Sequence, residues 1–229
     1  MSKPLAIDLF CGLGGWTEGL LAEGYDVIGF DIERHHYGDA KYPAQLVLQD
    51  VLTIHGRQFK DAALIVASPP CQAYSYRAMP WKRAKALPPP DNTLFDACFR
   101  IQREAIEAAG RFIPLVIENV RGAQKWVGRA RWNYGSFFLW GDVPALMPIP
   151  VKRGVKVGGL DWSKYGQPDY KTSGAAGRFR DSAIKNSGSR LYGSKSLKPK
   201  MASALIARIP FDLARHIASV WYPQESHAA

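Results

Sequence analysis

Short, almost uninterrupted apolar runs, separated by turns and helical stretches, constrain the fold of this chain most strongly. They lie at 5–10, 26–31, 46–51, 62–67 and 113–118, and a weaker run lies at 136–140. Strands with one solvated face alternate polar and apolar residues, whereas strands buried on both faces of a parallel sheet are apolar throughout. The pattern therefore predicts an α/β fold with an open, mostly parallel sheet flanked by helices. In such sheets the functional site lies at the carboxyl ends of the strands.

Helices are predicted between and after these strands. The first covers 16–22, with Gly24 as its stop. The second begins after Asn92, a suitable capping residue, and places its apolar side chains on one face until Gly110. The last runs from about 210 to 221 and starts at a proline, which favours the first turn of a helix.

The charge of the chain is concentrated in one segment. The sequence has 30 Lys and Arg against 20 Asp and Glu, a net charge of +10. Residues 152–200 hold 12 of the basic residues and three acids, and they show no sustained periodicity. A basic segment of this kind favours a polyanionic partner, most simply nucleic acid. We therefore expect one domain formed by 1–150 and 201–229, and a small, basic, irregular insertion at 151–200 that contacts nucleic acid.

The cysteine count and the termini indicate an intracellular protein. There are three cysteines, an odd number, and the first residues do not form a signal-peptide pattern. Apolar runs are far shorter than the ~20 residues that span a bilayer. We expect reduced thiols, a cytoplasmic location, no membrane association and a monomer without an obligate protein partner.

The first motif with chemical content follows the first strand. Asp8-Leu-Phe-Cys-Gly-Leu-Gly-Gly15 is a strand that enters a glycine-rich turn and then a helix, so a ligand can approach bare backbone. Asp31 ends the next strand, where ribose hydroxyls are commonly bound, and Asp50 ends the third and can accept from an adenine amino group. These features favour a nucleoside cofactor, although a glycine turn also occurs where a helix simply packs on a strand.

Two further motifs end later strands. In Ser68-Pro-Pro-Cys71 the prolines fix the backbone just before a cysteine, which can be a nucleophile if it forms a thiolate or simply a small buried apolar residue. Glu118 ends an apolar strand, where it is either a carboxyl group held in a desolvated site or a cap of the strand.

Taken together, these motifs resemble the cytosine-C5 DNA methyltransferases, and their layout is most similar to the compact members carried by bacteriophages. Asp8–Gly15 resembles the first cofactor motif, Pro70-Cys-Gln72 the catalytic loop, Glu118-Asn-Val120 the Glu-Asn-Val motif and Arg129-Ala-Arg131 the Arg-x-Arg element. The resemblance implies the Rossmann-like fold of S-adenosylmethionine-dependent methyltransferases, with 1–150 and 201–229 as the catalytic domain and 151–200 as the segment that contacts DNA. It also implies a location in the cytoplasm of a bacterial cell or a phage-infected host. It implies these catalytic residues: Cys71, Gln72, Glu118, Arg129 and Arg131. It implies these cofactor contacts: Asp8, Phe10, Cys11, Gly12, Gly14, Gly15, Asp31, Ile32, Asp50, Val51 and Pro70.

The sequence also departs from the family pattern. The family's long target-recognition domain is missing, so only the basic segment 151–200 can replace it. A proline precedes Pro70 where the family often has phenylalanine, and Ile32 occupies the position of an aromatic residue that often stacks on adenine. These departures affect substrate choice more than the chemistry.

The activity implied is transfer of a methyl group from S-adenosylmethionine to C5 of a flipped-out cytosine in duplex DNA, through a covalent adduct of Cys71, with no metal. Three alternatives remain at this stage. The substrate can be another cytosine, in tRNA or a free nucleotide; the protein can be a DNA-binding relative that has lost catalysis; or Ser68-Pro-Pro can belong to an enzyme that methylates exocyclic nitrogen. Cys71 occupies the position of the aromatic residue in that last class.

Overall fold

The computed structural model describes residues 2–75, 86, 88–148, 204, 205 and 207–224. All but three of these residues belong to one compact unit, formed by Met1–Pro150 and Arg208–Ala229. The basic insertion predicted at 151–200 and most of the loop before the second predicted helix lie outside the described residues, so both remain predictions.

Nine strands form within this part of the chain. Their bounds are β1 Leu5–Leu9, β2 Asp26–Asp31, β3 His36–Tyr37, β4 Ala40–Lys41, β5 Gln45–Leu48, β6 Ala62–Ala67, β7 Leu115–Asn119, β8 Trp132–Tyr134 and β9 Phe137–Gly141. Seven of them make one sheet in the order β5-β2-β1-β6-β7-β9-β8, and β3 and β4 form a separate antiparallel hairpin. The sheet is parallel from β5 to β7, and β9 runs against both of its neighbours. The predicted α/β class is therefore confirmed.

The strand order reverses between β1 and β6, which places a crevice at their carboxyl ends. From β1 the chain moves outward to β2 and β5, then returns to β6 and continues to β7 on the other side. The Trp16 indole N–H donates to the Ser68 hydroxyl at 3.0 Å and so ties the turn after β1 to the segment after β6. The predicted ligand site lies at this edge of the sheet.

Four α-helices flank the sheet among the described residues: α1 Gly15–Ala22, α2 Thr93–Ala109, α3 Gln124–Val127 and α4 Phe211–Val220. One sheet face packs against α2 through a buried apolar cluster that includes Ile65, Ile101 and Ile117. Leu20 of α1 and Ile217 of α4 are also fully buried.

Helices α1 and α4 approach each other closely because Gly19 has no side chain. A Cβ atom built on Gly19 would lie 2.4 Å from the backbone nitrogen of Arg215 and 2.6 Å from the Cβ of Ala214. Two ion pairs flank this contact, Glu18 with Arg208 and Glu23 with Arg215. The C-terminal helix therefore completes the same layer as the helix that follows the glycine turn.

Most predicted elements are confirmed, with shifted boundaries. The third strand is Gln45–Leu48 rather than 46–51, so Asp50 follows it and caps a short 3-10 turn, Val51–Thr53, instead of ending the strand. Asn92 occupies the N-cap position of the second helix, as predicted. Its side chain makes no cap bond; the Asp91 carboxylate accepts the Thr93 N–H at 2.8 Å instead. The fifth strand begins at Leu115 and not at 113, because Pro114 has no N–H to donate to a neighbouring strand.

Candidate active site

The turn after β1 combines strained backbone with one open glycine. Phe10 has a φ of 57°, the left-handed region that side chains rarely adopt, and Gly12 and Gly14 have φ of 52° and 80°. A Cβ on Gly14 would lie 2.5 Å from the Pro43 ring, and one on Gly15 would lie 2.5 Å from the backbone nitrogen of Ile209. At Gly12, by contrast, no described atom lies within 4 Å of that position. Gly14 and Gly15 thus allow close packing, and Gly12 is where a ligand can approach the backbone.

Asp31 lies beside this turn with its carboxylate held by three groups. Its Oδ2 accepts the Gly12 N–H at 2.9 Å, its Oδ1 accepts the Glu33 N–H at 3.3 Å, and the His35 ring lies 3.6 Å from Oδ1. Burial alone would raise the pKa of Asp31, but these hydrogen bonds hold it below its ordinary value. An ionised carboxylate at the end of β2 is a strong acceptor for hydroxyl groups.

Exposed apolar side chains stand next to Asp31 in the sequence and on both sides of Asp50. Ile32, directly after Asp31, is 73% exposed, and Leu48 and Leu52 are about half exposed. Oδ1 of Asp50 accepts the Leu52 N–H at 2.9 Å, which leaves Oδ2 for a ligand amino group. Val51 is buried in the core, so any contact of this residue with a ligand involves its backbone.

Asp8 and Cys11, both expected at the cofactor site, are buried beneath the turn. The Thr17 hydroxyl donates to Oδ2 of Asp8 at 2.6 Å and lies 2.7 Å from the hydroxyl of Tyr42. Burial, and next the charge of Asp31, outweigh the Thr17 bond and raise the pKa of Asp8 to about 7. Burial likewise raises the pKa of the Cys11 thiol far above its ordinary value, so Cys11 is a packing residue and not a nucleophile.

The sheet brings Cys71 and Glu118 to the same edge. Cys71, half-buried, is the fourth residue after β6, and Glu118, 7% exposed, lies in the neighbouring strand β7. The Asn119 side-chain amide donates to the carbonyl of Pro69 at 3.0 Å, so the residue next to Glu118 holds the segment that leads to Cys71. This hydrogen bond therefore fixes the backbone that precedes Cys71 relative to the strand that carries Glu118.

Arg131 immediately precedes β8, the strand two places away from the strand of Glu118. Leu139 of β9 pairs with Glu118 on one side and with Trp132 on the other, and its carbonyl accepts the Arg131 N–H at 2.8 Å. Arg129 and Arg131 are both exposed, and neither forms an ion pair within the part of the chain that is described.

A cavity of about 260 Å³ opens beside Cys71. Its walls are Pro69, Pro70, Gln72, Ala73, Tyr74, Asp91, Leu94 and Phe95. The cavity brings Pro70, expected at the cofactor, and Gln72, expected among the catalytic residues, together with the first turn of α2. Most of its lining is apolar.

Comparison with known proteins identifies the family. The model of the C-5 cytosine-specific DNA methylases matches residues 5–127, more than half of the 229-residue chain. The chain belongs to this family. Its fold is the Rossmann-like fold of S-adenosylmethionine-dependent methyltransferases, as the motifs predicted. The match includes Cys71 and Glu118, whereas Arg129 and Arg131 follow its end.

Solved structures with similar folds carry no further argument, because each similarity is weak. A putative DNA modification methyltransferase encoded within an E. coli prophage is 18% identical with a TM-score of 0.38, and the match covers 73% of this chain and 56% of that one. The Entamoeba histolytica methyltransferase EhMeth is 14% identical with a TM-score of 0.44, and the match covers 71% of this chain and 62% of that one. The S. pombe Dnmt2 methyltransferase is 18% identical with a TM-score of 0.36, and the match covers 54% of this chain and 36% of that one. No curated protein matches the chain significantly.

The edge of the sheet fits the methyl donor that this family uses, S-adenosylmethionine. The ionised Asp31 can accept from ribose hydroxyls, the backbone at Gly12 is open, and exposed Ile32 offers an apolar surface to a purine. Leu94, which lines the cavity with Pro70, is a candidate contact that sequence reasoning missed. It belongs to the apolar face of α2, and nothing in that pattern distinguishes a cavity wall from core.

The described residues form neither a metal-binding cluster nor a membrane-spanning helix. No group of three or more His, Cys, Asp or Glu side chains within 2–75, 88–148 and 207–224 is arranged to hold a metal ion. In the same part of the chain, no helix has the length and apolar character needed to cross a membrane.

Proposed function

We propose that this protein transfers a methyl group from S-adenosylmethionine to C5 of cytosine in duplex DNA, through a covalent adduct of Cys71. The observation that carries the proposal is the placement of Cys71 and Glu118 at the ends of neighbouring strands, beside the crevice that suits the methyl donor. Membership of the C-5 cytosine-specific DNA methylase family supports the same chemistry.

In the proposed reaction Cys71 is the nucleophile. Its thiolate adds to C6 of cytosine, and the electron pair of the C5–C6 double bond moves to C5 as Glu118 supports the ring at N3. C5 then forms a bond to the electrophilic methyl group that S-adenosylmethionine would supply, as the bond from this methyl group to the sulfonium sulfur breaks and S-adenosylhomocysteine leaves. Loss of the C5 proton to a base then restores the double bond as the bond from C6 to Cys71 breaks. Cys71 is thereby regenerated.

The charged residues near this pair are assigned to the target base. Arg131, with Arg129, is proposed to orient the flipped cytosine and to favour the thiolate, because both residues are exposed and lie just before β8, two strands away from β7. Gln72, at the wall of the cavity, is proposed to contact the nucleotide next to Cys71. A cytosine inside a duplex is inaccessible to these groups, so the reaction requires base flipping.

The basic segment 151–200 is proposed to contact the duplex. It carries most of the net charge of the chain and stands where the family has a larger recognition domain. If it neutralises phosphates, the logarithm of the affinity should fall by nearly one unit per logarithm of salt concentration for each phosphate contacted. Replacing both Arg178 and Arg180 should weaken duplex binding and lower this slope, while S-adenosylmethionine binding stays unchanged. A double variant with the parental slope would remove the segment from the DNA contact.

Bisulfite sequencing tests the proposal directly. DNA from cells that express the chain should contain cytosines protected at a defined sequence context, and DNA from cells that express Cys71→Ala should contain none. Protection in tRNA but not in DNA would replace the proposed substrate by RNA. Absence of protection in both, with normal S-adenosylmethionine binding, would leave a DNA-binding relative without catalysis.

A further inference from the structure

A chain of side-chain hydrogen bonds starts immediately after the nucleophile. Tyr74 is the third residue after Cys71 and the last of the 3-10 turn Gln72–Tyr74, in which its N–H donates to the Cys71 carbonyl at 3.0 Å. The Tyr74 side chain turns into the core and is 2% exposed. Its hydroxyl donates to Oδ1 of Asn92 at 2.9 Å.

Asn92 extends the chain to α3. Its Nδ2 donates to the carbonyl of Trp126 in α3 at 3.2 Å. One amide side chain therefore links the turn after Cys71 to α3. Asn92 is at the N-cap position of α2, but its side chain makes no cap bond and is available for this role, because the Asp91 carboxylate accepts the Thr93 N–H. A residue type normally used at a helix start therefore bridges two other segments.

Helix α3 is joined to the other two catalytic motifs. It follows Glu118 through the short turn Arg121–Ala123, and that turn packs beside the turn after Cys71. From the first residue of α3, the Gln124 side-chain oxygen accepts the N–H of Ala130 at 3.2 Å. Ala130 stands between Arg129 and Arg131, so the Arg-x-Arg element is tied to the same helix.

The bond from Tyr74 is well suited to transmit position. Burial, and next the charges of Asp96 and Asp91, raise the pKa of the Tyr74 phenol, so it stays a neutral donor. The ring packs in the same apolar cluster as Phe95 and Ala123, which leaves it little freedom. A buried hydrogen bond between restrained groups fixes a distance, whereas one between exposed side chains does not.

We propose that Tyr74 and Asn92 are positioning residues, which hold Cys71 in register with Glu118 and Arg131 by linking the turn after Cys71 to α3. The hydrogen bonds from Tyr74 to Asn92 and from Asn92 to Trp126 together form a clasp. This inference rests on the proposed function for its catalytic consequence, but the clasp itself can be tested without activity. Neither residue touches the reacting atoms in this account. Their effect is on the distance between groups that do, where a displacement of about 1 Å can lower a rate ~100-fold.

The decisive variant is Tyr74→Phe, which removes one hydroxyl and keeps the ring. Its matched control is Tyr25→Phe, because Tyr25 is equally buried, at 1%, and its hydroxyl donates to the Ala218 carbonyl at 3.1 Å at the opposite edge of the sheet. Both variants lose one buried tyrosine hydroxyl bond, so a general loss of stability affects them alike. Asn92→Asp tests the second link, since it keeps an acceptor for Tyr74 and removes the donor to Trp126.

Two measurements on the full chain separate the outcomes. By hydrogen–deuterium exchange, the amides of Tyr74 and Ser75 should exchange about tenfold faster in Tyr74→Phe and at the parental rate in Tyr25→Phe. In single-turnover methylation of DNA, Tyr74→Phe and Asn92→Asp should each lower the rate about tenfold to a hundredfold, with S-adenosylmethionine affinity unchanged. The double variant should lose no more than the worse single variant, because both act through one chain of bonds.

Parental exchange at Tyr74 and Ser75 in the Tyr74→Phe variant would overturn the proposal, whatever the activity. So would a methylation rate that falls equally in Tyr74→Phe and Tyr25→Phe. If the parent methylates no DNA while Tyr74→Phe still exchanges faster than the parent at Tyr74 and Ser75, the proposed function would be refuted and the clasp would stand.

Discussion

Replacing Asp8 with Asn should make the stability of the protein less dependent on pH. Asp8 lies in β1 and is 1% exposed; Oδ2 accepts from Thr17, and Oδ1 has no hydrogen-bond partner among the described residues. A buried carboxyl group with one unpaired oxygen is costly to ionise. The pKa of Asp8 accordingly rises from 3.8 to about 7, chiefly through burial.

The sign of the effect follows from proton binding in the two states. The unfolded chain loses the Asp8 proton near pH 3.8, whereas the folded chain keeps it until about pH 7. Between these values unfolding releases a proton, so the free energy of unfolding falls as pH rises; it levels off above pH 7. Three pKa units correspond to about 4 kcal/mol in total, of which about 2–3 kcal/mol is lost between pH 5 and 7.5.

Asparagine has nearly the same shape, can accept from Thr17 and does not titrate. The free energy of unfolding of Asp8→Asn, relative to the parent, should therefore increase by about 2–3 kcal/mol between pH 5 and 7.5. Urea unfolding at several pH values, followed by tryptophan fluorescence, measures this difference, with Asp26→Asn at an exposed position as the control. A difference that is constant with pH, or that shifts the other way, would refute the reasoning.

Three further predictions concern packing and the methyl donor. Gly19→Ala should lower the free energy of unfolding by about 1–3 kcal/mol in a thermal melt, because its Cβ meets the Arg215 backbone, and an unchanged stability would contradict the close contact of α1 and α4. Asp31→Ala should weaken S-adenosylmethionine binding by about 1–3 kcal/mol in calorimetry; equal affinity would make Asp31 only a partner of the Gly12 turn. Ile32→Phe should strengthen the same binding by about 0.5–1.5 kcal/mol if the exposed residue faces the adenine, and no gain would place the ring elsewhere.

The sequence predicts the sheet well because its strands are apolar on both faces. Runs such as 62–67 are apolar throughout, so both faces of the strand must be buried. The residues between successive runs are enough for the crossover connections that parallel strands require. The order of the motifs then places Asp31, Cys71 and Glu118 at one edge, since carboxyl ends of parallel strands share it.

Contacts across long sequence distances could not be predicted in this way. Asn92 is at the N-cap position that its pattern predicts, but its side chain bonds instead to Tyr74 and Trp126, and only the fold shows that these two residues lie within reach. Tyr42 stands in a polar hairpin region, and its burial beside Thr17 depends on Gly29 leaving room for its ring. Such residues carry no periodicity that separates them from ordinary turn or helix positions.

The separate roles of the glycines also required the structure. Gly12, Gly14 and Gly15 are equivalent in the motif, yet only Gly12 has open space at its Cβ position. At Gly15 the Cβ position is blocked by the backbone of Ile209, which lies nearly two hundred residues later in the chain. Tertiary packing, and not turn chemistry, decides which glycine is available to a ligand.

Covalent trapping with 5-fluorocytosine tests the central claim, that Cys71 is the nucleophile of a cytosine-C5 methyl transfer. After methylation the fluorine cannot leave C5 as a proton does, so the bond between Cys71 and C6 should persist. A duplex pool of random sequence with 5-fluorocytosine in one strand, incubated with S-adenosylmethionine, should give a denaturation-resistant complex with the parent and with Cys98→Ser, but not with Cys71→Ser. A complex that survives in Cys71→Ser, or none in a parent that methylates the unfluorinated pool, would contradict the account.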